Sequence, residues 1–192
     1  MASSSPNQPP PRFRLLLDQG FPKPPGFAVN AVDRTVDVVH LSDFDPELSR
    51  NSTPDWVLYC VAAEAGFDAI VARDRAQLDQ LVEMYVLSRL TNFTVITWRK
   101  AIEDPIREWG QLLAYLPEVK KHLSSGKPQA ILLPAPTLTS QNLFNPADTL
   151  GIEARRRGVS NGQARNEARG EIRDWLVMTG DDPQRFDRLL GG

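Results

Sequence analysis

"RFRLLLDQGFP", residues 12–22, is the stretch on which the prediction of the fold depends. Its apolar run from Phe13 to Leu17 ends directly in Asp18, and Gly20 and Pro22 then break the chain. A continuous apolar run, as opposed to an alternating one, is typical of a strand that is buried on both faces of a parallel sheet. The stretch therefore predicts a central strand that places a carboxylate at its carboxyl end.

More segments of the same kind follow along the chain, and helical patterns lie between several of them. Strands that alternate with helices indicate an α/β sandwich, in which a mostly parallel central sheet is flanked by helices. The predicted strands are residues 13–17, 36–41, 69–72, 93–97 and 130–133.

Three helices are predicted between these strands. "TPDWVLYCVAAEAG", residues 53–66, has Thr53 as N-cap, Pro54 at the first helical position and Gly66 as the stop. "RAQLDQLVEMYVLSRL", residues 75–90, carries apolar side chains at helical spacing. "PIREWGQLLAYLPEVKKHLSSG", residues 105–126, predicts a helical region that is interrupted at its internal proline, Pro117.

The C-terminal part of the chain predicts one separate amphipathic helix. Ser160 and Gln163 fit a capping box, and Gly180 ends the pattern. Its apolar stripe consists of Ala164, Ala168, Ile172, Trp175 and Leu176. Such a helix is weak in water by itself, so it must dock either on its own domain or on a partner protein.

The resulting organisation has four parts: a disordered leader at 1–11, an α/β domain at 12–136, a polar connector at 137–159, and the C-terminal helix and tail at 160–192. We expect the connector to be mobile and the helix to be held only loosely by its own domain. The "RRR" stretch at 155–157 either contacts an RNA backbone or is simply solvated.

The composition excludes several classes of protein. The chain has 192 residues and a net charge of −2, so its overall charge does not indicate nucleic-acid or membrane binding. No apolar run is long enough to span a bilayer, and residues 1–11 lack the features of a secretory signal. The single cysteine, Cys60, and the two histidines make a zinc site improbable. We therefore expect a cytoplasmic protein that does not bind a membrane.

Three aspartates that are far apart in the sequence are predicted to meet at one edge of the sheet. Asp18 and Asp74 each follow a predicted strand, and the carboxyl ends of parallel strands share one edge. Asp55 lies in the first turn of a helix that runs back against the strands, so it reaches the same edge. Each could instead be a cap or turn residue. Together, however, such carboxylates are what Mg²⁺ or Mn²⁺ requires.

The loop after the second predicted strand, "HLSDFDPELS", adds further acids to this edge. Asp43 follows the strand most closely and is the best candidate for a fourth carboxylate, whereas Asp45 and Glu47 are further along the loop. The alternative is an ordinary solvated loop.

These motifs resemble those of the PIN-like family related to the VapC toxin ribonucleases. "LLLDQGFP" is similar to the family's "LLDENLP", and "DWVLYCVAAEAGFDAIVARD" is similar to its helix and the following strand that ends in Asp. The resemblance covers roughly residues 12–100 and implies that Asp18, Asp55 and Asp74 are catalytic metal ligands, with Asp43 matching a loop acid. It also implies a magnesium- or manganese-dependent ribonuclease, which is a hydrolase of RNA phosphodiesters, and a toxin that pairs with an antitoxin.

Two positions depart from the family pattern. Gln19 stands where an acid usually follows the first aspartate, and Ala76 stands where a second aspartate usually follows the third. No histidine is placed to act as a general base, so the metal would have to activate the water.

A candidate RNA-binding group follows the fourth predicted strand. Trp98, Arg99 and Lys100 would project from the same edge as the acids, with an aromatic ring for base stacking and two cations for phosphates. The alternative is that Trp98 caps the core and that the two cations lie in a solvated turn.

Two functions remain open from the sequence. The first is the metal-dependent endoribonuclease with RNA as substrate and, as partner on the C-terminal helix, an antitoxin or a second copy of the chain. The second is a catalytically weak or inactive PIN-like module that acts by binding protein or RNA, which the changes at Gln19 and Ala76 favour. A phosphoacceptor domain is disfavoured, because "AILLPAP" lacks the lysine of a receiver and position 20 is Gly and not a second aspartate.

Overall fold

The computed structural model describes residues 13–23, 29, 33–49, 53–73, 75–99, 104–133 and 143–191. The predicted leader at 1–11 and two of the candidate site residues, Asp74 and Lys100, lie outside these ranges.

The central sheet is the mostly parallel one that the sequence predicts. Its strands are β1 (Phe13–Leu17), β2 (Val36–His40), β3 (Ala69–Val71), β4 (Thr94–Trp98), β5 (Gln129–Leu133) and β6 (Leu143–Phe144). Their order is β2-β1-β3-β4-β5-β6, and β1 to β5 are parallel to one another. The added strand β6 pairs antiparallel with β5. The predicted strands are therefore confirmed, with ends that differ by one residue.

Helices connect and cover the strands. They are α1 (Leu41–Phe44), α2 (Asp55–Glu64), α3 (Leu81–Arg89), α4 (Pro105–Leu123), α5 (Pro146–Arg156), α6 (Asn161–Thr179) and α7 (Asp187–Leu190). A 3₁₀ helix, Arg75–Asp79, precedes α3. Among the described residues, no helix has the length and apolar character that crossing a membrane requires.

Two details of the predicted helices are wrong. Helix α2 begins at Asp55 with Pro54 as N-cap, so Thr53 is not the cap. Helix α4 runs without interruption through Pro117, which lies on its exposed side, where a missing backbone hydrogen bond is tolerated. Gly66 ends α2 as predicted, because it adopts a left-handed conformation with φ of +76°.

Side chains from alternate positions of the strands form one core on each face of the sheet. In β1, Leu16 belongs to the first core, whereas Leu15 and Leu17 belong to the second. The second core is covered by α4 and contains Phe21, Trp98 and Trp109. The first core is larger and takes in apolar side chains of α2, α3, α5, α6 and α7.

The C-terminal helices belong to this first core, which corrects the prediction of a loosely held helix. Helix α6 has the predicted capping box, and its stripe is buried at Ala164, Ala168, Ile172 and Leu176. It packs against α3 and α5, so its apolar face is not available to a partner protein.

The predicted polar connector at 137–159 also differs from the structure. Within it lie β6 and α5, and α5 packs against α3 with Leu150 and Ala154 buried. As a result, α3 lies between the sheet and a second layer of helices. All residues from Leu81 to Leu87 are buried, as expected for a helix that is covered on every side.

Candidate functional site

The strand order places a crevice at the end of β1. The chain leaves β1 toward β2 on one side, and it continues through β3, β4 and β5 on the other. In parallel α/β sheets, ligands bind beyond the carboxyl ends of the strands at such a switch point. We call the edge at which β1 to β5 end the carboxyl edge. Asp18 directly follows β1 there, and its backbone N–H donates to the carbonyl oxygen of Val71 in β3 at 3.0 Å.

A tight turn holds Asp18 at this edge. Its Oδ1 accepts a hydrogen bond from the backbone N–H of Gln19 at 2.7 Å, and its carbonyl oxygen accepts one from Phe21 at 2.9 Å. Phe21 is buried and stacks on Trp98 with ring centroids 5.5 Å apart. Because Phe21 returns the chain to the core directly after the turn, a strand of the core can end in a charged residue. Only the carboxylate of Asp18 remains at the edge.

Asp55 reaches the same edge from α2. The far end of α2 lies beside the start of β1, where the Arg14 guanidinium donates to the Ala65 carbonyl at 2.6 Å. A helix of this length spans about 15 Å, which is close to the ~16 Å length of β1. The N-terminus of α2, with the half-buried Asp55, is therefore level with the carboxyl end of β1.

Asp43 lies in α1, directly after β2, and it is already engaged by a cation. Its Oδ1 accepts from the Lys23 ammonium at 2.6 Å, although both side chains are more than half exposed. This hydrogen bond holds the pKa of the Asp43 carboxyl below its usual value. Asp45 has a local role instead, because its Oδ1 accepts from the backbone N–H groups of Glu47 and Leu48.

An ion pair that sequence reasoning missed stands beside Asp18. The Arg73 Nε donates to Glu108 Oε1 at 2.6 Å, and its Nη1 donates to the Gly20 carbonyl at 3.2 Å. A Cβ at residue 20 would lie 3.5 Å from Arg73 Cδ and 3.9 Å from Asp18 Oδ2. Arg73 and Asp18 therefore both lie within van der Waals reach of position 20.

Glu108 could have been noticed from the sequence. It occupies the buried stripe of α4 with Trp109, Leu112, Leu116 and Val119, where a charge needs a partner. It is only 1% exposed, and its second oxygen, Oε2, has no hydrogen-bond partner among the residues that the structure describes. Nothing in the spacing of the sequence indicates that Arg73 is that partner.

The predicted RNA-binding group is partly wrong. Trp98 is 1% exposed and lies in the second core, and its Nε1 donates to Gln111 Oε1 at 2.8 Å. A ring buried in this way cannot stack on a base, so the alternative, that Trp98 caps the core, is correct. Arg99 is exposed, and Lys100 lies outside the described residues.

The complete set of predicted metal ligands is not assembled within the described ranges. There, no group of three or more histidine, cysteine or acidic side chains is suited to a metal ion, but Asp74 falls in a gap between those ranges. Asp18, Asp43 and Asp55 are all placed at the carboxyl edge. His40 is a structural residue, because its Nε2 is 3.0 Å from the Phe21 carbonyl and its Nδ1 is 2.9 Å from the Ser42 hydroxyl.

Comparisons of the chain with family models, with curated proteins and with solved structures give no match. The class of protein is defined by the structure itself: it is a mostly parallel α/β sandwich with acidic residues at the switch point of its sheet.

Proposed function

We propose that this chain is a metal-dependent endoribonuclease of the PIN-like, VapC-related type. The observation that carries the proposal is the position of Asp18, at the end of the interior strand β1 and at the switch point between β1 and β3. Asp55 lies at the same edge, which adds the second carboxylate of the resemblance. The chain topology supports a ligand at this place independently of the resemblance.

The donor set fits a hard divalent cation. Asp18, Asp55 and Asp74 would hold Mg²⁺ or Mn²⁺, and Asp43 would join them only by releasing Lys23. When bound, such an ion lowers the pKa of water and neutralises charge on the scissile phosphate. The residues of this chain hold the site in place. The backbone amide of Gln19 donates to the carboxylate of Asp18, and Arg73, paired with Glu108, holds the turn after Asp18 through the Gly20 carbonyl.

The second candidate is a PIN-like module that binds without cleaving. It is favoured by Gln19 and by Ala76, which is exposed on the 3₁₀ helix where the family would place an acid. Pairing with an antitoxin rests on the resemblance alone, because the apolar face of α6 that was expected to receive a partner is buried within the chain.

A cleavage assay with a matched pair of variants tests the proposal. In Mg²⁺ or Mn²⁺, the wild-type chain should cut a fluorescent single-stranded RNA, and EDTA should stop the reaction. Asp18→Asn should reduce cleavage at least about 100-fold, since even outer-shell partners of metal ligands are worth about 10–100-fold. Its melting temperature should be equal or higher, because one carboxylate is removed from an acidic edge.

Asp174→Asn is the control, because it removes the same charge from an exposed position on α6. It should leave both cleavage and melting temperature unchanged. Wild-type chain that binds RNA in both metals but never cleaves it would contradict the nuclease proposal and support the binding module. Equal cleavage by the wild type and by Asp18→Asn would show that the activity belongs to another site or to a contaminant.

A further inference from the structure

A cavity of about 330 Å³ lies among α2, α3 and α6, and its lining includes Pro54 and Trp56, the neighbours of Asp55, but not Asp55 itself. Its volume is at the lower end of the range for small-ligand sites. The walls combine two tryptophans with three glutamates, and one arginine, Arg157, completes the charged lining. The two tryptophans are Trp56 and Trp175, and the three glutamates are Glu83, Glu167 and Glu171.

Glu83 is the unusual residue of this cavity. It lies in the first turn of α3 and is only 9% exposed, yet it lines the cavity. Within the described part of the chain, no other side chain pairs with its carboxylate. A glutamate is seldom buried without a partner, because loss of hydration is costly. The helix dipole favours an acid in a first turn, but this does not explain why that acid is buried.

The surroundings of Glu83 increase the need for a positive charge. Burial is the largest effect and raises the pKa of its carboxyl, its own backbone amide opposes this, and Glu171 raises the pKa further. The charged groups that face it are Glu167 and Glu171 from α6 and Arg157 after α5, whereas α2 contributes Trp56. Three acids against one base leave an excess of negative charge.

The aromatic walls favour an organic cation. Trp175 is partly exposed and offers its ring to the cavity, whereas Trp56 is only 4% exposed and packs against Trp175, with ring centroids 5.4 Å apart and planes at 80°. Ammonium and guanidinium groups bind to tryptophan faces as well as to carboxylates, and their alkyl stems suit apolar walls. A bare metal ion fits poorly, because these glutamates do not form a metal-binding group within the described residues.

We propose that this cavity binds an organic cation, a guanidinium or alkylammonium group carried on an aliphatic stem. Glu83 is its charge partner and the partly exposed Trp175 supplies the aromatic ring, against which the buried Trp56 packs from behind. The same chemistry is found in a free diamine and in an arginine or lysine side chain of another protein. Binding requires none of the acids proposed to hold a metal, so it stands or falls separately from the nuclease.

The test uses the full chain and two probes that carry the same guanidinium. Agmatine represents the free cation, and Nα-acetyl-arginine N-methylamide represents a side chain on a peptide. Binding should change the tryptophan fluorescence and be measurable by calorimetry, with a Kd of about 1 mM or tighter for at least one probe. Trp98 and Trp109 lie on the other face of the sheet and serve as constant background.

Glu83→Gln keeps the shape of the side chain and should weaken binding at least about tenfold, as expected for loss of a charged partner. Its melting temperature should not fall, because a buried charge next to Glu171 is removed. Glu171→Gln, at an exposed position, should weaken binding as well and serves if the first variant does not fold. Glu118→Gln on α4 is the control and should bind like the wild type.

Binding of agmatine alone identifies a free small cation, and binding of both probes identifies a side-chain site. The proposal is overturned if neither probe binds. It is equally overturned if the folded variants at Glu83 and Glu171 bind as tightly as the wild type.

Discussion

Two buried glutamates differ in whether a cationic side chain pairs with them, and this difference indicates different roles. Glu108 is buried and forms an ion pair with Arg73, so the charge of Glu108 is compensated within the chain. The pair links α4 to the end of β3. Glu83 is 9% exposed, and no cation of the described residues forms an ion pair with it. We therefore expect Glu108 to support the fold of the carboxyl edge and Glu83 to serve a ligand.

At the residue scale, the Arg73–Glu108 pair should contribute measurably to stability. Arg73→Leu leaves the carboxylate of Glu108 buried without its partner, and we expect a loss of about 1–3 kcal/mol in the free energy of unfolding. The range is below that for a fully buried pair, because the Arg73 side chain is 38% exposed and partly screened by solvent. Urea denaturation measures the loss.

The double variant Arg73→Leu/Glu108→Gln should recover part of that loss, since the unpaired charge is gone. Arg107→Leu is the control, because the Arg107 side chain is 78% exposed and its contact with Asp104 is long, at 3.8 Å. If the single and double variants were equally stable, the unpaired charge of Glu108 would not be the cause of the loss.

At the scale of elements, α4 joins the two ends of the sheet. Near its N-terminus, Glu108 binds Arg73 at the carboxyl edge. Near its C-terminus, the Lys120 ammonium donates to Asp33 Oδ2 at 2.5 Å and to Thr35 Oγ1 at 3.0 Å, just before β2 begins. Because α4 continues through Pro117, both contacts belong to one rigid helix. A break at Pro117 would have separated them.

The contact between α4 and Asp33 should make stability sensitive to acid. The hydrogen bond from Lys120 is the main cause that lowers the pKa of Asp33 from 3.8 to about 2, and Thr35 adds to it. A carboxyl whose pKa is lower in the folded state stabilises the fold above its unfolded pKa. This contribution is lost as the pH falls from about 4 to about 2, and it amounts to about 1–2 kcal/mol.

Lys120→Met should remove this contribution, so the difference in unfolding free energy between wild type and variant should shrink as the pH falls from 4 to 2. Comparing the two chains at each pH cancels the other acids. Lys121→Met is the control, because Lys121 is exposed and contacts Glu118 only at 3.8 Å. A difference that is constant with pH would show that Lys120 acts by packing and not through the charge of Asp33.

At the scale of the whole molecule, the chain is layered: α4, the sheet, α2 and α3, and then the C-terminal helices. The outer layer is what buries the remaining side of α3. Among the side chains that it contributes to the first core are Leu150, Ile172, Leu176, Phe186 and Leu190. Full burial of one such side chain is worth about 1.5–3 kcal/mol, so together they rival the whole stability of a typical domain, about 5–15 kcal/mol.

Truncation after Pro136 should therefore abolish cooperative folding, in contrast to the unchanged melting temperature that a tethered helix would give. Thermal unfolding followed by circular dichroism distinguishes the two. Leu176→Ala is a graded version and should cost about 2–5 kcal/mol, whereas Met178→Ala, at an exposed position on the same helix, should cost close to nothing. A truncated chain that melts like the full chain would show that the outer layer is dispensable.

The sequence alone determined the strands, the parallel sheet and the edge to which Asp18 and Asp55 go. These follow from local signals, because apolar runs, helix caps and helix direction depend on residues that are close together in the sequence. It also determined the α6 stripe and its capping box.

Only the tertiary structure decided which surfaces these elements cover. It placed α5 and α6 on α3, buried Trp98, and brought Arg73 to Glu108 across 35 positions of sequence. It also brought Glu83 into one cavity with two tryptophans from helices far apart in the chain. Periodicity shows that a face is apolar, or that a charge lies on it, but not which distant element meets that face. That choice depends on packing and on the pairing of buried charges, which only the folded chain brings about.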